Sequence, residues 1–367
     1  MSFPEARKAL LRTVTLAPAL GFVPVAVHFH LFDCLLAISN PATARHVYDE
    51  HIRRYGDKTN LSVQLTSDTL FMMGALGLLG TLADDLYQAN DVTMFLVDMP
   101  SSQHGALHFT SEILLGSAFL MKQLVETDFN YPFQERRAPF QYAYRSMHSD
   151  IAHEHAYSIM EHTGRLDSFN TFMTGKFGRG ETMPDRAKKL GYGLAALISE
   201  SLQAKLPTII VDIGGGRGEL LLELRDAFPS LEERNLVLQE YNSEIGEIPG
   251  VTEAPWNFKE QDQEQPIKGA LIYSLAFVLH NLSDPEAIKL LRKIATAMSS
   301  QSRLIIQELT KNAISATTHA AMIVMYGGRE RTSEEWNHLA AEAGLMVTFE
   351  AYPPVGECLV EMRQVMN

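Results

Sequence analysis

The chain has 367 residues, of which 46% are hydrophobic and 20% charged, and it carries a formal net charge of −13. This composition predicts a folded protein of about two domains and excludes an intrinsically disordered chain. Because no segment clusters lysine and arginine, the acidic balance argues against a nucleic-acid surface. Cys34 and Cys358 lie far apart without a neighbouring His–Cys pattern, which argues against disulfides and a structural metal site and predicts a cytoplasmic location.

The N-terminal segment lacks the basic and apolar regions and the cleavage site of a secretion signal. The apolar stretches, such as residues 69–82, are broken by glycine or charge before the roughly 20 residues that a bilayer span needs. We therefore expect neither secretion nor a membrane partner.

Residues 1–104 predict a helical, winged-helix-like dimerisation domain. Turn signals separate its short helices at 26–39, 43–55 and 65–82. The third helix has an apolar face, which predicts a homodimer that shares this face. Its members are Leu65, Leu70, Met73, Leu76, Leu79 and Leu82.

Residues 105–204 have helical patterns at 107–125 and 140–204 and are predicted to form a connecting and substrate-pocket segment. From residue 205 to 367, apolar strands alternate with helices, which predicts an α/β fold with a doubly wound, mostly parallel, Rossmann-like sheet. The strands are expected at 208–213, 235–240, 269–274, 303–308, 346–351 and 357–363, and the helices at 218–228, 284–298 and 333–343.

A glycine-rich turn is the clearest binding signal in the chain. Residues 208–213 form an apolar strand that contains Asp212 and leads directly into Gly214, Gly215, Gly216 and Gly218. Glycine allows positive φ angles and a close approach of the backbone to a ligand, and the following helix directs its N-terminus at the same place. Glu240 ends the next strand about twenty residues on, where a carboxylate can bind both ribose hydroxyls. The turn alone leaves dinucleotides and adenosyl cofactors open.

Four motifs give the chain a resemblance to a known family. They are Val-Asp-Ile-Gly-Gly-Gly-Arg-Gly at 211–218, Gln-Glu at 239–240, Val-Leu-His-Asn-Leu-Ser-Asp at 278–284 and Gly-Arg-Glu-Arg-Thr-Ser-Glu-Glu-Trp at 328–336. Over nearly the whole chain, their order resembles the class I S-adenosylmethionine-dependent O-methyltransferases of the plant and fungal small-molecule type. The resemblance implies S-adenosylmethionine as cofactor, a small-molecule substrate of secondary metabolism and a homodimer.

The resemblance also assigns residues. It implies that Asp212, the four glycines and Glu240 hold the methionine and ribose parts of the cofactor, while Tyr241, Asn257 and Phe258 line the adenine. His280 matches the family's general base, and an imidazole with a pKa near 6.5 suits proton removal at neutral pH. Glu308 and Glu330 match the acidic residues that orient this histidine.

Five residues are candidates for substrate binding. Phe169 and Met173 resemble the family's clamp on the substrate ring, although pairs at this spacing are also common in helix cores. By alignment, His108 falls where the family places a substrate-facing residue. Asn281 and Lys311 complete the set, although the position of Lys311 just past a strand end favours an exposed loop lysine.

The chain departs from the family in three places. It has His280-Asn281-Leu282 where His-Asp-Trp is usual, Ala276 in place of a basic residue, and Lys311 in place of an apolar residue or proline. These departures leave a second function open, that of the O-methyltransferase-like pericyclases, in which such side chains would polarise a carbonyl. A third reading, a silent binding protein, is opposed by the intact glycine turn and Glu240.

Overall fold

The computed structural model describes residues 3–56, 58, 60–134, 136–175, 181–241 and 248–365. The chain divides into two compact units. Unit 1 comprises Met1–Met121 and Ala143–Arg179, and unit 2 comprises Lys122–Tyr142 and Gly180–Asn367. The boundaries of these two units differ from those of the three regions predicted from the sequence. The predicted division at 104 and 204 therefore stays a prediction.

The first half of the chain is helical. A π-helical turn at Phe109–Ile113 joins the eighth helix to the ninth, and a 3-10 turn lies at Asp150–His153. The helices are α1 (Phe3–Val14), α2 (Leu16–Leu20), α3 (Val23–His28), α4 (Leu31–Ala37), α5 (Ala44–Tyr55), α6 (Val63–Ala75), α7 (Asp91–Asp98), α8 (Pro100–His108), α9 (Leu114–Glu126), α10 (Pro139–Ser146), α11 (Ala156–His162) and α12 (Leu166–Gly175).

Two local features of unit 1 differ from the sequence prediction. The helix expected at 26–39 is broken at His30, which has a φ of 51° and separates α3 from α4. The helix expected at 65–82 ends at Ala75, because Gly77 turns the chain with a φ of 76° into an antiparallel hairpin of β1 (Gly80–Ala83) and β2 (Leu86–Gln88). This hairpin follows α6, and the winged-helix-like assignment of the region stays a prediction.

The apolar face of residues 65–82 serves mainly the core of unit 1. Leu70, Met73 and Leu79 are buried there with residues of α3, α4 and α5. On α1, Phe3, Leu10 and Val14 are 86%, 62% and 59% exposed, while Phe71 and Leu82 of the segment 65–82 are 61% and 52% exposed.

The run Phe3–His28 is long and apolar enough, by length and composition, to cross a membrane, with only 11% of its most apolar window buried. This finding differs from the prediction that every apolar stretch is too short for a bilayer span. The run consists of the three separate helices α1, α2 and α3, and its first helix carries charges at Glu5, Arg7, Lys8 and Arg12. Its length and hydropathy alone do not assign it to a membrane.

Unit 2 contains a seven-stranded sheet in the order β5-β4-β3-β6-β7-β9-β8. Neighbouring strands from β5 to β7 are parallel, and β9 is antiparallel to both β7 and β8. The strands are β3 (Ile210–Ile213), β4 (Leu236–Gln239), β5 (Thr252–Glu253), β6 (Ile272–Ala276), β7 (Arg303–Leu309), β8 (Leu345–Ala351) and β9 (Glu357–Gln364), and the helices are α13 (Met183–Lys189), α14 (Leu194–Gln203), α15 (Glu219–Ala227), α16 (Asp284–Ala297), α17 (Ala316–Tyr326) and α18 (Ser333–Glu342).

Successive side chains of a strand point to opposite faces of the sheet, and the buried strands are apolar on both faces. Helices therefore cover both faces of this sheet. Val211 and Ile213 pack with residues of α16 and α18 on one face. Ile210 and Leu238 pack with residues of α13, α14 and α15 on the other. The doubly wound α/β fold predicted from the sequence is confirmed, and the carboxyl ends of β3, β4, β6 and β7 meet at one edge, where ligands bind in such sheets.

Candidate active site

The glycine turn follows β3 and leads into α15. Gly214, Gly216 and Gly218 have φ angles of 66°, 58° and 74°, which only glycine adopts without strain. Gly215 serves a close approach: a Cβ there would lie 2.2 Å from Oδ2 of Asp212 and 2.7 Å from Leu238. The turn therefore offers bare backbone at the carboxyl edge of the sheet, as an adenosyl group requires.

Glu240 follows β4 and is tied to this turn. Its carboxylate accepts hydrogen bonds from the backbone N–H of Gly216 at 3.1 Å and of Tyr241 at 2.8 Å. Each carboxylate oxygen has two lone pairs, so these bonds leave acceptor capacity for a diol. The turn and Glu240 together fit the nucleoside part of S-adenosylmethionine.

The predicted adenine-lining residues lie on two segments. Tyr241 is 69% exposed beside Glu240, whereas Phe258 packs against the buried Trp256, with ring centroids 6.1 Å apart. The side chain of Asn257 caps its own turn by accepting from the N–H of Lys259. Lys293 on α16, which the sequence did not single out, donates to the carbonyls of Phe258 and Glu260 and so fixes this turn.

His280 lies in a 3-10 turn, Leu279–Asn281, just beyond β6. The buried Glu308 at the end of β7 anchors this turn, since its Oε1 accepts from the N–H groups of Leu279 at 2.9 Å and His280 at 3.3 Å. The turn also adjoins the glycine loop, because a Cβ on Gly214 would come within 3.0 Å of Val278. The fold thus brings the predicted base and the predicted cofactor loop together.

The imidazole of His280 faces two buried carboxylates. Its Nδ1 lies 2.9 Å from Oε1 of Glu330 and 3.4 Å from Oε2 of Glu308, and neither glutamate side chain is exposed. Carboxylates accept hydrogen bonds, so this arrangement places the ring proton on Nδ1 and makes Nε2 the acceptor. That tautomer is the one a general base requires.

Burial raises the pKa of Glu308 from its usual 4.5 to about 7; the positive charge of His280 opposes the rise, and the neighbouring Glu330 adds to it. The ligand atoms of His280, Glu308 and Glu330 lie within 4.8 Å of one another, close enough to share a metal ion. Their separations are those of hydrogen bonds, 2.9 and 3.4 Å, which suits a shared proton. The absence of a metal cofactor stays a prediction.

The sequence did not indicate that Arg331 and Gly328 hold the turn of His280 in place. The fully buried Arg331 donates to the carbonyls of Leu279 and Leu282, each at 2.8 Å, and to Asp284 at 3.0 Å. Gly328 lets this segment pack on the turn, since a Cβ there would lie 2.0 Å from the carbonyl oxygen of His280. From the sequence alone, Arg331 would be expected to be exposed to solvent. Only the fold shows that it binds the backbone carbonyls of the turn.

Asn281 and Lys311, predicted to contact substrate, both have protein partners. The amide of Asn281 donates to the carbonyl of Phe277 at 3.3 Å. The ammonium of Lys311 lies 3.0 Å from each carboxylate oxygen of Glu335, which also pairs with Arg329 at 2.8 Å. Substrate roles for Asn281 and Lys311 stay predictions.

Unit 1 brings together two of its three predicted substrate residues. The ring of His108, at the end of α8, lies 5.0 Å from that of Phe169 on α12, and Met173 follows one turn later on the same helix. A partner of His108 was missed: Glu112 in the π-helical turn contacts Nδ1 at 3.2 Å, and Glu112 in turn accepts from Arg165 at 2.8 Å. The sequence spacing of His108 and Glu112 is four, which could have indicated this pair.

Comparison with known proteins identifies the family. Residues 193–346 match the family described as O-methyltransferase domain. The O-methyltransferase bfoE of Aspergillus brasiliensis is 67% identical over 366 residues, covering 99% of this chain and 98% of its own. The chain belongs to this O-methyltransferase family. It is an S-adenosylmethionine-dependent O-methyltransferase of fungal secondary metabolism.

Solved structures show the same fold at low sequence identity. The structure of LepI in complex with SAM superimposes with a TM-score of 0.78 at 21% identity, covering 100% of this chain and 90% of that one. A structure titled as a pericyclic reaction enzyme gives 0.77 at 21% identity, covering 97% and 89%. The predictions of family, fold and cofactor for this O-methyltransferase are confirmed.

Proposed function

We propose that this O-methyltransferase methylates a hydroxyl group of an aromatic or polyketide-like small molecule, with His280 as general base. The observation that carries the proposal is the pairing of the Nδ1 of His280 with the buried Glu330 and Glu308, beside the glycine turn. It supports a base whose acceptor nitrogen is fixed and whose protonated form is stabilised.

The cofactor, when bound, supplies an electrophilic methyl group. The residues of this chain have to remove one proton from the substrate hydroxyl and hold the oxygen in line with that methyl group. Nε2 of His280 takes the proton while Glu330 and Glu308 stabilise the imidazolium that results. Glu308 also holds the turn of His280 in place through its bonds to the N–H groups of Leu279 and His280.

The test replaces His280 by alanine and follows S-adenosylhomocysteine and methylated product by mass spectrometry. Loss of a general base is expected to lower kcat by about 10²–10⁴-fold. Calorimetry should show unchanged binding of S-adenosylmethionine, because the glycine turn and Glu240 are untouched. Undiminished turnover in this variant would refute the base role of His280.

The pericyclase alternative makes a different prediction for the same assay. It requires a product to form without S-adenosylhomocysteine, with His108, His280 and Lys311 as contacts to carbonyl or hydroxyl groups. The bond between Lys311 and Glu335 ties up the ammonium that this function would use. The name of the 67% identical relative also favours methyl transfer.

The proposal includes a homodimer in a cytosolic location. The amphipathic α1 leaves its apolar side chains exposed, and its four charged residues make a second copy a better partner for it than the interior of a bilayer. Both cysteines are free and buried, which supports a reducing compartment.

A further inference from the structure

His319 lies on α17, which packs against the 3-10 turn that carries His280. Its Nδ1 accepts a hydrogen bond from the backbone N–H of Glu330 at 3.1 Å. A nitrogen that accepts from an amide carries no proton, so the proton of the neutral ring is on Nε2. The backbone thus fixes the tautomer of His319.

The surroundings keep this ring neutral. Burial lowers the pKa of His319 below its usual value, and the cations of Lys311 and Arg329 lower it further, against the opposing influence of Glu330 and Glu335. His319 is half-buried, and among the described residues its Nε2 has no hydrogen-bond partner. The ring therefore presents an N–H donor that the protein does not use.

His280 and His319 both bond to Glu330, but their Nε2 atoms have opposite hydrogen-bonding roles. His280 bonds through Nδ1 to the side chain of Glu330, whereas His319 bonds through Nδ1 to its backbone N–H. The first arrangement makes Nε2 an acceptor, and the second makes Nε2 a donor. An acceptor and a donor on two rings that one residue holds suit a ligand that offers one hydroxyl and one oxygen acceptor.

We propose that His319 determines specificity by donating a hydrogen bond from Nε2 to a carbonyl oxygen next to the hydroxyl that His280 deprotonates. The substrate class is then hydroxyarenes or enols with an adjacent carbonyl group. This inference rests on the proposed role of His280 in methyl transfer. The donated bond also draws negative charge from the developing oxyanion through the conjugated carbonyl.

The test uses matched pairs of hydroxyarenes with and without a carbonyl beside the hydroxyl, for example 1-hydroxy-2-acetonaphthone and 1-naphthol. S-adenosylhomocysteine release gives kcat/KM for each. The wild-type enzyme is expected to prefer the carbonyl-bearing members by about ten-fold, as one hydrogen bond allows. His319→Leu should abolish this preference, while His319→Gln should keep it, because a glutamine amide can both accept from Glu330 and donate to the substrate.

The outcomes separate this inference from the proposed function. If wild type methylates both members of each pair equally, or if His319→Leu keeps the preference, the role of His319 is wrong and methyl transfer stands. If no hydroxyarene yields S-adenosylhomocysteine, the proposed substrate class fails and the inference fails with it. A loss of activity with both members in His319→Gln as well as His319→Leu would indicate a structural role and overturn the inference.

Discussion

At the scale of single residues, the chemistry depends on how charge is shared next to His280. Two buried carboxylates flank one imidazole, and both cannot stay ionised without cost. Glu308 bears this cost, because burial raises its pKa to about 7, while its Oε1 also anchors the N–H groups of Leu279 and His280. A mutation can therefore remove the negative charge of Glu308 and keep the oxygen that accepts from the two N–H groups.

Glu308→Gln keeps the anchoring oxygen and removes the ionisation. Because the folded pKa lies above the usual 4.5, the folded protein binds more protons than the unfolded chain between pH 4.5 and about 7. The stability contributed by protonated Glu308 is present below that window and is lost as the pH rises through it. The variant should therefore gain stability relative to wild type by about 1–3 kcal/mol between pH 5 and pH 8.

Denaturant unfolding at several pH values measures this difference. Glu342→Gln, which changes an exposed carboxylate, serves as the control and should show no such trend. A stability difference between Glu308→Gln and wild type that does not vary with pH would contradict the assigned protonation of Glu308.

At the scale of elements, a short segment between α17 and α18 determines where the turn of His280 lies. Gly328 permits the contact, Glu330 binds the imidazole, and Arg331 holds the carbonyls of Leu279 and Leu282. A planar guanidinium can make all its bonds at once, whereas an ammonium cannot reproduce this geometry. The guanidinium fork of Arg331 thus positions His280 through the carbonyls of Leu279 and Leu282.

Arg331→Lys keeps the charge and loses the fork, so we expect a loss of about 2–4 kcal/mol in the free energy of unfolding. kcat should fall as the turn shifts, with little change in the affinity for S-adenosylmethionine. Arg292→Lys is the matched control, since Arg292 also donates two bonds to a carbonyl but is exposed. Equal effects of the two substitutions on stability and kcat would show that Arg331 does not position the turn.

The elements differ in how well the sequence predicts them. β3 and the glycine turn were predicted because β-branched residues and positive-φ glycines carry local signals. α17 was missed, since residues 316–326 are apolar on several sides and show little helical periodicity. His319 and Arg331 were missed for another reason: the partners that give them a role are brought near only by the fold.

At the scale of the whole molecule, the sequence indicated an apolar helix face for self-association and located it at residues 65–82. Leu70, Met73 and Leu79 of that segment are buried in their own core. Periodicity shows that a face is apolar but not what covers it, so it could not separate an internal face from an external one. The exposed apolar side chains of α1 now support the dimer proposal.

Leu10 and Val14, 62% and 59% exposed, lie one turn apart on α1, so the double variant Leu10→Glu, Val14→Glu places charge on one apolar stripe. Light scattering after gel filtration should give twice the 40.9 kDa chain mass for wild type and a single chain mass for the variant. Val355→Glu, at an exposed site in unit 2, should remain dimeric. A wild-type monomer, or flotation of the wild type with lipid vesicles, would contradict a second copy as the partner of α1, because burying the stripe in a protein interface leaves no apolar surface for lipid.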